Sequence, residues 1–227
     1  MRVTTARNNP IVRQLPNGLT VLRLILTLLF LAMILYAPHL GDKPWRFLMG
    51  AFVIFVIAGV TDLIDGPVAR YFHVTSKFGR MVDPLADKIL VCGAFLCFAA
   101  VGQPRLANFV QAPYDVPLAA LSIFRWAVAA ILLIREIGVT ILRHTAEARG
   151  IEFGAVYSGK IKMLVQSFAI GTVLIGWAFV SRPWGDWFTL VTFILMSAIT
   201  VLSGIHSLSR PIRPDQAKPR SAATTTG

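Results

Sequence analysis

Residues 47–71 read FLMGAFVIFVIAGVTDLIDGPVARY, and residues 77–101 read KFGRMVDPLADKILVCGAFLCFAAV. Each stretch joins an apolar run to an acidic end. Asp62 and Asp65 close the first, while Asp83 and Asp87 open the second. Runs of this length outlast a strand and suit a helix crossing a bilayer, which needs about 20 mostly apolar residues. The two acidic ends face each other across a short connection around Thr75 and Ser76.

Working outward, the same pattern predicts six spans, at about 19–36, 47–71, 81–101, 116–143, 156–180 and 187–206. Asn17 is placed to cap the first. Ala37-Pro38, Gly41-Asp42-Lys43-Pro44, Gln103-Pro104 and Arg182-Pro183-Trp184-Gly185 supply the turns. The composition agrees: 56% of the 227 residues are hydrophobic and only 15% charged, against about 25% charged in soluble domains. The expected fold is therefore all-α, a polytopic membrane protein of about six transmembrane helices. Residues 1–16 form a juxtamembrane arm, 17–206 the helical domain, and 207–227 a basic, Pro/Ser/Thr-rich disordered tail.

A net charge of +11 would suggest nucleic acid in a soluble protein. Here the cations sit between apolar runs. Arg2, Arg7, Arg13, Arg70, Lys77, Arg80, Arg143, Arg149, Lys160, Lys162, Arg210, Arg213, Lys218 and Arg220 fall on one side, and Lys43, Arg46, Arg105, Arg125 and Arg182 on the other. That asymmetry puts both termini in the cytoplasm of a multi-pass cell (inner) membrane protein. Cys92 and Cys97, five apart, do not share a helical face and are expected as free, buried thiols. The four histidines and five tryptophans read as interfacial groups, with no nucleic-acid, zinc or P-loop pattern.

The chemistry lies between Asp62 and Asp87. A charge at the centre of a membrane helix costs about 2.5–3.5 kcal/mol on insertion scales, so four carboxylates here call for compensation. Asp62 and Asp65 share one helical face, with Ala69 continuing it, and Asp83 and Asp87 share another, with Gly79 one turn before. Folding the second and third spans back as an antiparallel pair would bring the carboxylates to one pocket. Their mutual repulsion is removed by a divalent cation, and hard oxygen donors without Cys or His suit Mg²⁺ or Mn²⁺. Gly66 and Gly79 leave room for a bulky group such as a nucleotide, and Arg70 can grip a phosphate in bidentate fashion. Pro67 implies either a bend in the second span or a helix end just after Gly66.

The pattern Asp62-x2-Asp65-Gly66-x2-Ala69-Arg70-x8-Gly79-x3-Asp83-x3-Asp87 resembles, at every fixed position, the signature of the CDP-alcohol phosphotransferase family. The resemblance implies a metal-dependent membrane transferase, typically of six spans and often a homodimer. It implies metal ligation by Asp62, Asp65 and Asp83 with Asp87 nearby, a general-base role for Asp87, and contacts to the CDP moiety from Asp62, Gly66, Ala69, Arg70 and Gly79. Leu15-Pro-Asn-Gly-Leu-Thr-Val-Leu-Arg23, Arg135-Glu136-Ile137 and Ser158-Gly-Lys160-Ile-Lys162 are similar to the bacterial branch that makes phosphatidylglycerophosphate.

The implied reaction moves a phosphatidyl group from CDP-diacylglycerol to glycerol 3-phosphate at a cytoplasm-facing site among membrane lipids. Arg135, Arg143, Lys160 and Lys162, on the same side as the aspartates, suit a phosphomonoester acceptor. Inositol phosphate fits that charge as well. Phosphatidylglycerol and serine are the other acceptors within the family, and a cation or proton transporter is the alternative outside it.

Overall fold

A computed structural model describes the backbone of residues 10–41, 45–71, 77–148, 157–180 and 182–208, and the side chains of 18–41, 45–61, 85–142, 144–146, 162–180 and 182–206. Within these residues the chain is all helical. The elements are α1 (Pro10–Tyr36), a 3₁₀ turn (Ala37–Leu40), α2 (Trp45–Tyr71), α3 (Lys77–Ala100), the one-turn α4 (Ala107–Val110), α5 (Leu118–Ala148), α6 (Tyr157–Phe179) and α7 (Pro183–Leu208). Six are long, and they coincide with the six apolar runs. Among the described residues, four stretches are long and apolar enough to cross a membrane, Gly18–Leu40, Leu118–Ala146, Lys162–Phe179 and Pro183–His206, and α2 adds a shorter apolar stretch over Trp45–Thr61.

The helix ends differ from the sequence reading in instructive ways. α1 begins at Pro10, so Asn17 lies inside it and is not its cap. Proline suits a first helical position, where its missing N–H has no intrahelical partner to lose. α2 runs through Pro67 to Tyr71, which overturns a helix end after Gly66. α7 starts at Pro183 for the same reason as α1, ahead of the expected Trp187. The Thr75–Ser76 connection and residues 209–227 lie outside the described residues.

Neighbours in sequence are not always neighbours in space. α1 packs against both α2 and α3, α2 against α6, α6 against α7, α7 against α5, and α5 against α3. The six long helices thus close a ring. The expected direct pairing of α2 with α3 is replaced, among the described residues, by α1 packed against both. Gly93 permits this approach, since a Cβ there would meet Leu31 Cδ1 at 2.7 Å.

Aromatic contacts fill the interior. Phe30 meets Phe55 at 5.3 Å between ring centroids, Phe95 meets Phe193 at 5.7 Å, and Phe124 meets Phe193 at 6.3 Å. Large apolar residues also point outward, Ile123, Ile134, Ile137 and Ile141 on α5 among them, as lipid solvent requires. Lipid tails are as apolar as leucine, so close packing and buried polar pairs hold such helices together. Cys92 and Cys97 are both free, the first buried and the second half-buried.

Candidate active site

The up-and-down course of the helices collects the start of α1, the end of α2, the start of α3, the end of α5, the start of α6 and the end of α7 at one end of the ring. The backbone positions of the candidate site residues lie toward that end. Asp62, Asp65, Gly66, Ala69 and Arg70 occupy the last turns of α2, and Gly79 and Asp83 the first turns of α3. Their backbone is helical, which keeps Asp62 and Asp65 on one face of α2 and Asp83 and Asp87 on one face of α3. Five residues join Tyr71 to Lys77. At about 3.3–3.6 Å per residue, that link keeps the two helix ends within roughly 20 Å of each other. The side chains of these seven residues, and of Arg143 and Lys160, lie outside the described residues.

Asp87 is described, and its partner was not foreseen. Arg23, 64 residues earlier on α1, donates from Nη1 to Asp87 Oδ1 at 2.9 Å. The Arg23 side chain is 1% exposed and that of Asp87 30% exposed. A guanidinium buried inside a bundle stays charged and must be compensated. Asp87 supplies that charge, and Arg23 in turn fixes where one carboxylate oxygen points.

A second cluster ties α5, α6 and α7 together. Glu136 Oε1 accepts from Arg135 Nη1 at 3.0 Å and from Lys162 Nζ. Arg135 Nη2 reaches across to Ser203 Oγ on α7 at 2.9 Å. All three charged side chains are nearly buried, at 11%, 13% and 7% exposure for Arg135, Glu136 and Lys162. Gly204 makes room for the arginine, since a Cβ there would sit 3.2 Å from Arg135 Cγ. Arg135 and Lys162, both inferred from sequence as phosphate-binding cations, therefore come together on one carboxylate.

Lys88 completes the constellation. Its Nζ donates to Thr140 Oγ1 at 2.7 Å, and Thr140 donates in turn to the Glu136 carbonyl. Lys88 follows Asp87 on α3, so its bond to Thr140 ties the α3 end that bears the Arg23–Asp87 pair to the helix that bears Glu136. Arg23, Lys88 and Glu136 are charges inside apolar runs. That is the signal that could have flagged them, because a span rarely carries an ionisable group without a partner or a function.

Among the described residues no three acidic, His or Cys side chains gather as a metal site. The four signature aspartates lie on two helix ends, and carboxylates are the donors that suit a hard divalent ion. The match to a known family covers far more than those aspartates. The family model for CDP-alcohol phosphatidyltransferases matches residues 13–204, from the first turns of α1 to Gly204.

The chain belongs to the CDP-alcohol phosphatidyltransferase family.

Members of this phosphatidyltransferase family resemble the chain over most of their length. It is 31% identical over 205 residues to a "Probable phosphatidylglycerophosphate synthase" of Mycobacterium tuberculosis, covering 89% of this chain and 83% of that protein. A "CDP-diacylglycerol--glycerol-3-phosphate 3-phosphatidyltransferase" of Bacillus subtilis is 33% identical over 207 residues, 86% of this chain and 94% of the relative. A Salmonella choleraesuis protein with the same description is 29% identical over 199 residues, covering 86% and 93%.

Proposed function

We propose that this protein transfers the phosphatidyl group of CDP-diacylglycerol to glycerol 3-phosphate, giving phosphatidylglycerophosphate and CMP. The observation that carries the acceptor assignment is the Arg135–Glu136–Lys162 cluster, linked through Thr140 and Lys88 to the stretch of α3 that bears Asp87. A nearly buried pair of cations next to the reacting end suits a phosphomonoester, whereas serine or glycerol has no need of it. The names of the relatives support the same reaction.

The glycerol 3-phosphate hydroxyl attacks the phosphorus that bears diacylglycerol. The bond from that phosphorus to the CMP oxygen breaks, and Asp87 takes the hydroxyl proton. Arg23 holds Asp87 in place for this task. Asp62, Asp65 and Asp83, with Asp87 beside them, would hold Mg²⁺ or Mn²⁺, which when bound supplies charge neutralisation for the pyrophosphate and the leaving group. Asp62, Gly66, Ala69, Arg70 and Gly79 face the CDP moiety. Arg143 and Lys160 join Arg135 and Lys162 around the acceptor.

An apolar groove of about 500 Å³ runs between α2, α6 and α7, lined by Phe55, Ser167, Phe168, Gly171 and Phe188 among others. It extends along α6 from Ser167, about 7.5 Å beyond Lys162 at 1.5 Å per residue, to Val180, and reaches Trp184 and Gly185 at the far end. Its nearer part is where the acyl chains of a lipid held at the charged end would lie. In this reading the six long helices all span the cell membrane, both termini and the active site face the cytoplasm, and the enzyme works as a homodimer among membrane lipids.

The test is CMP release by the purified protein with CDP-diacylglycerol and Mg²⁺ or Mn²⁺. Glycerol 3-phosphate is compared with inositol phosphate, glycerol, serine and phosphatidylglycerol as acceptors. Release with glycerol 3-phosphate alone is expected. Release with a different acceptor removes the acceptor assignment and leaves the family chemistry standing.

A further inference from the structure

One turn deeper than the charged clusters, the interior carries a second polar tier. Thr27 lies four residues past Arg23 on α1, Gln166 four past Lys162 on α6, and Thr200 three before Ser203 on α7. Residues three or four apart share a helical face. The three therefore project from the faces that bear the charged clusters, about 4.5–6 Å farther into the bundle. Thr27 and Thr200 are fully buried, and Gln166 is 1% exposed.

Each of them holds a buried polar atom that meets no hydrogen-bond partner among the described residues: Thr27 Oγ1, Gln166 Nε2 and Thr200 Oγ1. A helical threonine has a partner within easy reach, the carbonyl one turn back. Thr140, Thr172, Thr189 and Thr192 all donate to the carbonyl four residues earlier. Thr27 and Thr200 leave that carbonyl alone. A polar group buried without a partner is costly, and the lipid around the bundle offers it none.

We propose that this tier is a buried water-binding site, with water held between Gln166 on α6 and Thr200 on α7 and with Thr27 on α1 as a further ligand. α6 and α7 pack directly against each other, so two of the three groups stand on neighbouring helices. The amide N–H donates, and a threonine hydroxyl donates or accepts. Neutral groups of that kind suit water, which needs two to four polar partners to be held in an interior. A metal ion would call for carboxylate or carbonyl oxygens.

The surroundings leave room on one side and close the other. Ala58, four residues before Asp62 on α2 and fully buried, adds only a methyl at this depth. Another three or four residues along, the same faces turn apolar at Phe30, Ile170 and Met196, all fully buried. The tier thus separates the ion pairs from the aromatic core. Its role follows from that place. Charges that rest on hydrocarbon are expensive, and bound water gives the Arg23–Asp87 and Lys162–Glu136 pairs a polarisable neighbour on their membrane side. This role does not depend on which acceptor the enzyme uses.

Two measurements on the full chain test the site. The first is a density map of the protein in nanodiscs, fine enough to show ordered water. A peak is expected within about 2.7–3.2 Å of both Gln166 Nε2 and Thr200 Oγ1. The second is a mutant cycle read from the midpoint of thermal unfolding. Gln166→Met and Thr200→Val each remove one ligand with little change of shape, and each should lower the midpoint by about 2–4 °C. The double variant should lose clearly less than the sum, because the water they share is lost once. Thr27→Val should show a loss of the same order.

A dry tier behaves differently. Replacing an unpartnered polar group by an apolar one of the same shape leaves stability unchanged or raises it. Midpoints that hold or rise in Gln166→Met and Thr200→Val overturn the proposal. So does a map with no peak at that position, or one in which protein groups bond both atoms. Strictly additive losses in the double variant overturn the shared site.

Discussion

The two ends of the helix ring solve the membrane problem in opposite ways. At the signature end, side chains from α1, α3, α5, α6 and α7 are joined by ion pairs and hydrogen bonds that cross between helices. At the far end Trp45, Trp177, Trp184 and Trp187 gather beside turns, and Arg46 stacks over the Trp45 ring at 5.1 Å. Its charged contacts include Asp186, which caps the short α4 by accepting from both the backbone and the side chain of Asn108 at 2.8 Å, and Arg125, whose Nη1 donates to the Pro104 carbonyl at 3.2 Å. One end joins nearly buried cations to carboxylates across helices, while at the other the half-buried Arg125 meets a backbone carbonyl. Buried charge is expensive in a bilayer, so its concentration at one end marks where the chemistry is.

The sharpest way to break this contrast is at Asp87. Asp87→Asn should lower CMP release by about 10²–10⁴-fold, the usual contribution of a general base, while the protein still purifies as folded. Near-wild-type turnover would remove Asp87 from that role. Next in size is Arg23. Arg23→Met removes the buried guanidinium from Asp87 and should destabilise the protein by about 3 kcal/mol, read from unfolding in detergent. Combining it with Asp87→Asn should restore part of that stability, and simple additivity of the two losses would show that the pair is not coupled.

Glu136→Gln should raise KM for glycerol 3-phosphate by about tenfold, roughly 1.4 kcal/mol, with KM for CDP-diacylglycerol little changed. At the far end, Asp186→Asn should cost about 1 kcal/mol of stability and leave kcat/KM within about twofold. A large catalytic loss there would erase the distinction between the ends. The smallest effect is expected at Gly204. Gly204→Ala asks Arg135 to give by a few tenths of an ångström, which should raise the acceptor KM by only about two- to threefold.

The fold was legible to the extent that apolar runs report helices. All six runs became long helices, because a segment that must satisfy its own backbone in lipid has few alternatives. Their beginnings were less legible at α1 and α7, where a proline that reads as a breaker serves as a first helical residue. Their neighbours were least legible. A short connection favours reading α2 and α3 as a pair, yet α1 packs against both, and the close contact at Gly93 that allows it involves a residue more than sixty positions away.

The site shows the same division. The Asp62–Asp87 pattern and the cations Arg135 and Lys162 stand out by residue type and spacing. The link from Arg23 to Asp87, the sharing of Glu136 and the Lys88–Thr140 contact depend on which helix faces which. The sequence alone marks those residues only as charges in unexpected places.

The most direct test of the account is the acceptor dependence of CMP release by the purified full chain with CDP-diacylglycerol and a divalent metal. The account predicts release with glycerol 3-phosphate and little with glycerol, which offers the same hydroxyl without the phosphate. Equal release with both acceptors, or release with glycerol alone, would contradict the claim that the charged end is built around a phosphomonoester.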